Sequence, residues 1–194
     1  MAARLSIIVP TPDGDGLEAL LASVDPQLAD GDEVLIVGDT HERDDQLSWL
    51  AAAIEGRGAP YRFLPYNAGH HCWGHCQINY GLTQATGDYL VFIDDDDVFT
   101  PDALRTIRQR IALLDTPRVL MFKFHCQRLG RTLPERYEAV ESAIGGHCIV
   151  PPNIPTRLGQ WGERYGGDFD FIRSTLDLWD VPPAWNDDVI AIAR

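Results

Sequence analysis

The sequence predicts an α/β fold with a mostly parallel central sheet flanked by helices, and three observations lead to that prediction. Short apolar runs without alternation, typical of strands buried on both faces, recur through the first two thirds of the chain. Segments with apolar residues three or four apart, typical of amphipathic helices, separate these runs. The regular succession of strand and helix then favours βαβ units with right-handed crossovers.

The predicted strands of the first two thirds each end beside polar or turn-forming residues. They cover residues 5–9, 33–37, 61–64 and 89–93. Thr11, Asp39 and Asn67 follow the first three strands, and four consecutive aspartates follow the last one. In parallel sheets, ligands bind beyond the carboxyl ends of the strands. We therefore expect these polar groups to meet at one edge of the sheet.

Apolar spacing also predicts four helices between and after these strands. Their buried faces comprise Leu17, Leu20, Leu21 and Val24; Leu47, Leu50 and Ile54; Ile78, Leu82 and Ala85; and Leu104, Ile107, Ile111 and Leu114. Thr100 and Pro101 precede the fourth helix. Threonine is a favoured N-cap and proline a favoured first helical residue, so this pair predicts where the fourth helix begins.

The pattern loosens after residue 115, and we expect a short irregular C-terminal region there. Strands are expected at residues 119–124 and 148–150, a helix at 169–179 and a final edge strand at 189–192. No linker rich in Gly or Ser divides the chain. Because 194 residues fit one domain, we expect residues 1–194 to form a single domain, with halves at 1–115 and 116–194.

Composition narrows the class of protein. Hydrophobic residues make up 45% of the chain, enough for a buried core, which argues against disorder. The net charge of −13 disfavours general binding to nucleic acids, whose phosphates would be repelled. No apolar run is long enough for a transmembrane segment and the first residues do not resemble a signal peptide, so we expect a soluble, cytoplasmic protein. Its four cysteines are then expected to be free thiols.

The four aspartates at positions 94–97 suggest a cation site. Carboxylates crowded at a strand end repel one another and raise each other's pKa unless something neutralises them. If the chain stays extended, Asp94 and Asp96 point in the same direction. A divalent cation that carries a diphosphate would neutralise them, because hard cations take oxygen ligands. The alternative is a solvated acidic turn that caps the next helix.

Several short motifs occur in an ordered series. They are LSIIVPT at 5–11, VLIVGD at 34–39, NAG at 67–69, NYGL at 79–82 and ATGDYLVFIDDDD at 85–97. Together they resemble the strand ends and Asp-x-Asp signal of the family 2 glycosyltransferases, which have the GT-A (Rossmann-like) fold. The resemblance implies a metal-dependent, inverting enzyme that moves a sugar from a nucleoside-diphosphate sugar to a hydroxyl acceptor.

The resemblance also implies roles for the matching residues. Contacts to the donor nucleotide sugar would come from Pro10, Thr11, Asp39, Asn67, Gly69, Asn79, Asp94 and Asp95. Asp96 would hold Mn²⁺ or Mg²⁺ on the diphosphate, and Asp94 would assist. Related enzymes supply a further histidine ligand, for which His147 is the candidate here, and water is the alternative.

A catalytic base is implied at residues 166–171 (GGDFDF), which resemble the family's motif at a helix start. Asp168 is the first candidate for the base and Asp170 the second. An aspartate that follows glycines and precedes an amphipathic helix is also a good N-cap. The capping and catalytic interpretations of Asp168 therefore both stay open.

Two other functions are compatible with such a fold. A sugar nucleotidyltransferase would need a basic, glycine-rich loop for a triphosphate after the first strand, but residues 10–16 are acidic. A non-catalytic protein that binds nucleotide sugars is the second alternative. The sequence does not identify the donor sugar, its base, the acceptor (glycan, lipid, protein or small molecule) or the oligomeric state.

Every cysteine follows a histidine, in the pairs 71–72, 75–76, 125–126 and 147–148. Thiolate and imidazole are ligands that zinc prefers, and the spacing of Cys72 and Cys76 suits a zinc site. Buried cysteines are more often simple hydrophobic residues. His70, His71 and His75 lie near the expected ligand edge, where they could contact diphosphate or acceptor. Trp161 is a candidate for an acceptor pocket, with a place in the core as the alternative.

Overall fold

The computed structural model describes residues 2–12, 14–40 and 44–194, without the side chains of residues 44–46. The predicted parallel sheet is confirmed. Its strands are β1 (Leu5–Thr11), β2 (Glu33–Asp39), β3 (Tyr61–Tyr66) and β4 (Tyr89–Phe92). They run in the order β3-β2-β1-β4, and all neighbours are parallel. Every residue of β1 and β4 is buried, which explains the uninterrupted apolar runs.

The helices are α1 (Leu17–Val24), α2 (Asp44–Arg57), α3 (His75–Gln84), α4 (Ala103–Ala112) and α5 (Gly167–Asp177). The predicted start of α4 at Thr100 and Pro101 is wrong. Asp102 takes the N-cap position, and the Thr100 hydroxyl instead donates a hydrogen bond to the Val189 carbonyl at 2.7 Å. The hydroxyl of Thr100 therefore bonds to a neighbouring strand and does not cap the helix. Among the described residues, the helices include none with the length and apolar character to cross a membrane.

A second sheet carries the C-terminal part of the chain. Its strands are β5 (Val98–Phe99), β6 (Leu120–Cys126), β7 (Arg131–Leu133), β8 (Ile149–Val150) and β9 (Ala184–Ala193). Their order is β5-β9-β6-β7, and β8 also pairs with β6. The expected edge strand at 189–192 is therefore longer and internal. The first half of β9 is polar, so its sequence lacks the apolar pattern of a strand. The charges of Asp187 and Asp188 are accommodated by ion pairs with Lys123 and Arg110.

The two sheets meet at β4. The Leu90 amide donates a hydrogen bond to the carbonyl of Pro151, and Tyr89 forms an isolated bridge with Pro152. Phe92 of β4 packs against the rings of Trp161 and Phe171 at centroid distances of 5.2 and 5.3 Å. The acidic run leaves β4 and leads directly into β5, so it lies at the junction between the two sheets.

Candidate functional site

The acidic run forms a turn at the carboxyl end of β4. The amide of Asp97 donates a hydrogen bond to the carbonyl of Asp94 at 3.2 Å. Asp94 and Asp96 are exposed, whereas Asp95 and Asp97 are buried. The turn therefore separates the run into two carboxylates that can meet a ligand and two that are packed into the protein.

Asp95 is anchored to the end of β1. Its carboxylate accepts a hydrogen bond from the hydroxyl of Thr11, and that hydroxyl accepts one from the Gly14 amide at 2.8 Å. The loop after β1 packs closely against the acidic run. A Cβ atom at Gly16 would lie 2.4 Å from the Asp95 carbonyl oxygen and 2.6 Å from the Asp96 Cα. Only glycine fits there, and this contact fixes the backbone of the run.

Asp97 is held from the opposite side by the second sheet. Its carboxylate accepts a hydrogen bond from the Arg194 amide at 3.0 Å and lies 3.6 Å from Nδ1 of His147. Burial raises the pKa of Asp97 to about 6; the Arg194 amide opposes this shift, and the charge of Asp96 reinforces it. This buried environment disfavours the ionised form of Asp97.

A small cavity of about 50 Å³ adjoins the run. It is lined by His75, Ile78, Phe92, Ile93, Asp94, Gly146, His147, Trp161 and Asp168. The cavity unites Asp94, His147 and Asp168, three residues that the sequence predicted for one site from positions far apart in the chain. It has room for one or a few atoms of a ligand.

Asp94 stands at this cavity, with one side open to solvent. The surrounding protein removes much of its hydration, and Asp97, Asp96 and Asp95 add like charge; together these effects raise the pKa of Asp94 to about 8. The carboxylate of Asp94 meets solvent on one side, while the protein on its other sides removes much of its hydration. A cation bound there would reverse the shift, because it favours the charged carboxylate.

His147 presents an unpaired nitrogen at the cavity. It lies on a short 3₁₀ turn (Gly146–Cys148), is buried, and contacts the ring of Phe124 edge-on. Its Nε2 has no hydrogen-bond partner among the described residues. Burial lowers the pKa of His147 to about 4, so the imidazole is neutral near pH 7. A neutral imidazole with a free nitrogen is a competent metal ligand.

Asp168 and Asp170 have different environments at the start of α5. One carboxylate oxygen of Asp168 accepts a hydrogen bond from the Phe169 amide at 2.8 Å. Asp168 also lines the cavity, and burial raises its pKa. Asp170 instead forms a two-point ion pair with Arg164, at 2.6 and 2.8 Å. The N-cap interpretation of Asp168 is wrong, because Gly166 takes the N-cap position and Asp168 lies inside the first turn of α5. Asp168 faces the cavity, and this position leaves its interpretation as the base open.

The other predicted donor contacts are spread along the sheet edge. Pro10 and Asp39 lie in the last two residues of their strands. Asn67 accepts a hydrogen bond from the Gly69 amide at 2.8 Å, which shapes the loop after β3. Asn79 lies apart, in the middle of α3. Its side chain bonds to both the amide and the carbonyl of Trp161, at 3.1 and 3.0 Å.

Trp161 has a largely structural role. Trp161 is buried and stacks on Phe171 at 4.9 Å, so it forms a wall of the cavity and part of the core. The four cysteines are free thiols, as expected. His75 also lines the cavity, and its Nδ1 lies 2.7 Å from the Gly162 carbonyl. Gly16 was not predicted from the sequence, where its only signal is its position in the loop after β1.

The residues at this site supply donor atoms of the kind that a divalent cation takes, but among the described residues the ligand atoms of Asp94, Asp96 and His147 do not all lie within 4.8 Å of one another. Asp94 and Asp96 offer carboxylates toward solvent, and His147 offers the unpaired buried nitrogen. Mn²⁺ and Mg²⁺ both accept carboxylate ligands, and Mn²⁺ also accepts imidazole. The donor set is therefore compatible with the Mn²⁺ or Mg²⁺ that the sequence analysis expected.

Comparisons with known proteins bear on the family and on the fold, each through a different kind of match. A sequence model described as "Glycosyl transferase family 2" matches residues 6–137. A comparison with curated protein sequences gives no match. Many solved structures are similar, among them the crystal structure of S. aureus TarS 1–349, with a TM-score of 0.76 at 19% identity. The match covers 98% of this chain and 60% of the TarS chain.

Two similar structures contain sugar nucleotides. S. aureus TarS 1–349 in complex with UDP-GlcNAc has a TM-score of 0.76 at 18% identity, covering 98% of this chain and 58% of that one. The mannosyltransferase PcManGT from Pyrobaculum calidifontis, in complex with GDP-Man and Mn²⁺, has a TM-score of 0.71 at 18% identity. The match covers 99% of this chain and 57% of that one. The chain thus spans less than two thirds of these proteins, and the likeness establishes the fold.

Proposed function

This chain belongs to glycosyl transferase family 2, and on that premise we propose that it transfers a sugar from a nucleoside-diphosphate sugar to a hydroxyl acceptor. One observation carries the proposal. The cavity beside the acidic run unites Asp94, a buried neutral His147 and Asp168 at the carboxyl edge of the parallel sheet. Metal ligands and a base are the groups that this transfer needs.

The donor nucleotide is proposed to lie along the edge formed by β1, β2 and β3. Pro10, Thr11 and Asp39 stand at the ends of β1 and β2, and the loop after β3 carries Asn67 and Gly69. Ligands of parallel sheets bind at such edges. The similar structures bound to UDP-GlcNAc and GDP-Man support a sugar nucleotide as donor and leave its base open.

Asp96, Asp94 and His147 would hold Mn²⁺ or Mg²⁺. When bound, the ion neutralises charge on the departing nucleoside diphosphate. The Mn²⁺ in the mannosyltransferase structure supports this choice of ion. Asp95 and Asp97 serve as supports, since Thr11 and the Arg194 amide hold them away from solvent.

Asp168 is proposed as the base that accepts the proton of the acceptor hydroxyl. Its raised pKa makes it a better proton acceptor than an ordinary carboxylate. Asp170 is less suitable, because the guanidinium of Arg164 donates hydrogen bonds to both of its carboxylate oxygens. A single displacement with inversion needs one base, which Asp168 supplies.

We further propose that residues 1–194 act as one domain, in which 1–115 binds the donor and 116–194 provides the base and the acceptor surface. The fold supports this division. The predicted donor contacts cluster on the parallel sheet, whereas Asp168 and His147 come from the C-terminal half. Glycans, lipids, proteins and small molecules are all open as acceptors.

A thermal-shift panel tests the proposal. Nucleoside diphosphates and their sugars are added singly, with and without Mn²⁺, to the wild type and to Asp96→Asn. A ligand at 100 times its Kd stabilises the folded state by about 2.7 kcal/mol. We expect one nucleotide to raise the Tm only when Mn²⁺ is present, and Asp96→Asn to lose that shift. If no nucleotide shifts the Tm of the wild type, the proposed donor site is wrong.

A further inference from the structure

A second group of metal-ligand side chains lies away from the acidic run. The donor atoms of His70, Cys76 and Glu163 all lie within 4.8 Å of one another. His70 comes from the loop after β3, Cys76 from the first turn of α3, and Glu163 from the segment before α5. Since Glu163 is 87 residues or more from the other two, the fold, not local sequence, assembles this group.

We propose that His70, Cys76 and Glu163 form a site for Zn²⁺ or a similar thiophilic divalent cation. One imidazole, one thiolate and one carboxylate match the ligands that zinc prefers. Hard cations such as Mg²⁺ do not favour sulfur. A thiolate and a carboxylate together carry two negative charges, which balance the ion. Binding displaces the proton of the Cys76 thiol to solvent.

The backbone around the group is fixed independently of any metal. His75, next to Cys76, has its Nδ1 2.7 Å from the carbonyl of Gly162, next to Glu163. This contact holds the Glu163 segment against the start of α3. Nε2 of His70 lies 2.8 Å from a carboxylate oxygen of Glu163. His70 and Glu163 are more than half exposed, so their side chains can rotate to exchange this contact for the ion.

Cys72 is adjacent but already bonded. Its sulfur accepts a hydrogen bond from the Cys76 amide at 3.3 Å and donates one to the Gln77 side chain at 3.4 Å. The site therefore has three protein ligands, which leaves one tetrahedral position for water. The bound ion would tie the loop after β3 to the segment that leads into α5.

Cobalt is the probe that tests this site, because cobalt bound to a thiolate gives a charge-transfer absorption band. Co²⁺ is titrated into metal-free wild type and variants, and Zn²⁺ is then added in competition. We expect the band to saturate at one equivalent, to disappear on addition of Zn²⁺ and to be absent in Cys76→Ser. His70→Ala and Glu163→Gln should each weaken Zn²⁺ binding about tenfold or more.

Matched controls keep the test decisive. His71→Ala removes the neighbouring exposed imidazole and Cys126→Ser a distant thiol, and both should bind Zn²⁺ like the wild type. Cys76 is buried, so its variant could misfold, but His70 and Glu163 are exposed and their variants should fold. Absence of the band in the wild type, or unchanged Zn²⁺ affinity in both exposed variants, overturns the proposal. Binding at the aspartates gives no thiolate band, so this test and the nucleotide test fail separately.

Discussion

The hydroxyl of Thr11 donates a hydrogen bond to the carboxylate of Asp95 and thereby joins the end of β1 to the acidic run after β4. Both side chains are buried, and the same hydroxyl accepts a hydrogen bond from the Gly14 amide. β1 and β4 are parallel neighbours, so their carboxyl ends lie side by side. This contact orients the run, because it fixes one carboxylate inward and leaves Asp94 and Asp96 outward.

Replacement of Thr11 by valine tests how much this contact contributes. Thr11→Val keeps the shape of the side chain but leaves the buried Asp95 carboxylate and the Gly14 amide without their hydroxyl partner. We expect the free energy of unfolding to fall by about 1–3 kcal/mol, as for other buried polar groups that lose a partner. Urea unfolding of the metal-free protein measures the change. Thr11→Ser, which keeps the hydroxyl, should lose clearly less; equal losses in both variants would contradict this role.

Gly16 offers a second way to disturb the run. Gly16→Ala places a Cβ atom 2.4 Å from the Asp95 carbonyl oxygen, too close for either backbone to stay in place. We expect a loss of about 1–3 kcal/mol in unfolding free energy. Binding of Mn²⁺, followed by titration calorimetry, should also weaken because Asp94 and Asp96 are displaced.

The matched control is Gly56→Ala, near the end of α2. A Cβ atom at Gly56 meets nothing within 4 Å, and alanine is the better helix former. This variant should gain roughly 0.5–1 kcal/mol of stability and leave Mn²⁺ binding unchanged. If Gly16→Ala behaves like Gly56→Ala, the close approach of the loop to the acidic run has no energetic consequence.

The parallel sheet was predictable from sequence because its central strands are buried on both faces, and uninterrupted apolar runs of this length are typical of such strands. The internal position of β9 was not, because its first half is polar and charged. Those charges are satisfied by Lys123 and Arg110, which are distant in sequence. The start of α4 was also predicted wrongly because of a partner distant in sequence. Thr100 bonds to β9 instead of capping the helix.

The candidate site was predictable only in part. The resemblance to a family predicted roles for Asp94, His147 and Asp168, and the fold brings these residues to one cavity. Whether Asp168 or Asp170 faces that cavity depends on Arg164, whose ion pair with Asp170 no sequence pattern shows. Gly16 was missed because the atoms that exclude a side chain there belong to a strand end about 80 residues away.

The pKa of Asp94 predicts a pH dependence of stability in the metal-free protein. Burial first, and then the neighbouring carboxylates, raise this pKa to about 8. An aspartate in the unfolded chain has a pKa near 3.9. Between these values the folded state binds more protons than the unfolded state, so stability falls as pH rises toward about 8. His147, with its pKa lowered to about 4, has the opposite effect, but only below about 6.5.

Urea unfolding at several pH values between about 6.5 and 8 therefore reports mainly on Asp94. Asp97, with its pKa raised to about 6, contributes in the same direction at the lower end of this range. The expected slope is below the ~1.4 kcal/mol per pH unit of one full proton, because solvent reaches Asp94 and screens its neighbours. Asp94→Asn should flatten the slope, and saturating Mn²⁺ should do so in the wild type. A wild-type protein that becomes more stable as pH rises through this range would contradict the raised pKa.

Asn79 was expected to contact the nucleotide sugar, but its bonds to both backbone groups of Trp161 indicate a structural effect of its removal. Asn79→Ala leaves those groups with no side-chain partner beside the cavity. We expect a loss of about 1–3 kcal/mol in the free energy of unfolding. Nucleotide affinity, measured by titration calorimetry below the melting range, should change little. A stable Asn79→Ala variant with lost nucleotide affinity would restore the role that the sequence predicted.

The two aspartates of α5 provide the sharpest test of the proposed chemistry. In Asp168→Asn the amide oxygen can still accept the hydrogen bond from the Phe169 amide, so the start of the helix is preserved. Only the ability to accept a proton is lost. We expect donor binding to persist and turnover to fall by about 10²–10⁴-fold, the usual contribution of a general base.

Asp170→Asn is the matched control, because it is the same change two residues away. It weakens the partly exposed ion pair with Arg164, a loss of about 0–1 kcal/mol in stability. Turnover should stay close to that of the wild type, since Asp170 is directed to Arg164 and does not line the cavity. If Asp168→Asn retains full turnover while Asp170→Asn loses it, the base is Asp170 and the bond from Phe169 to Asp168 has only a structural role in the first turn of α5. Because both variants keep the volume of the side chain, a difference between them reports the position of the proton acceptor and not a change in packing.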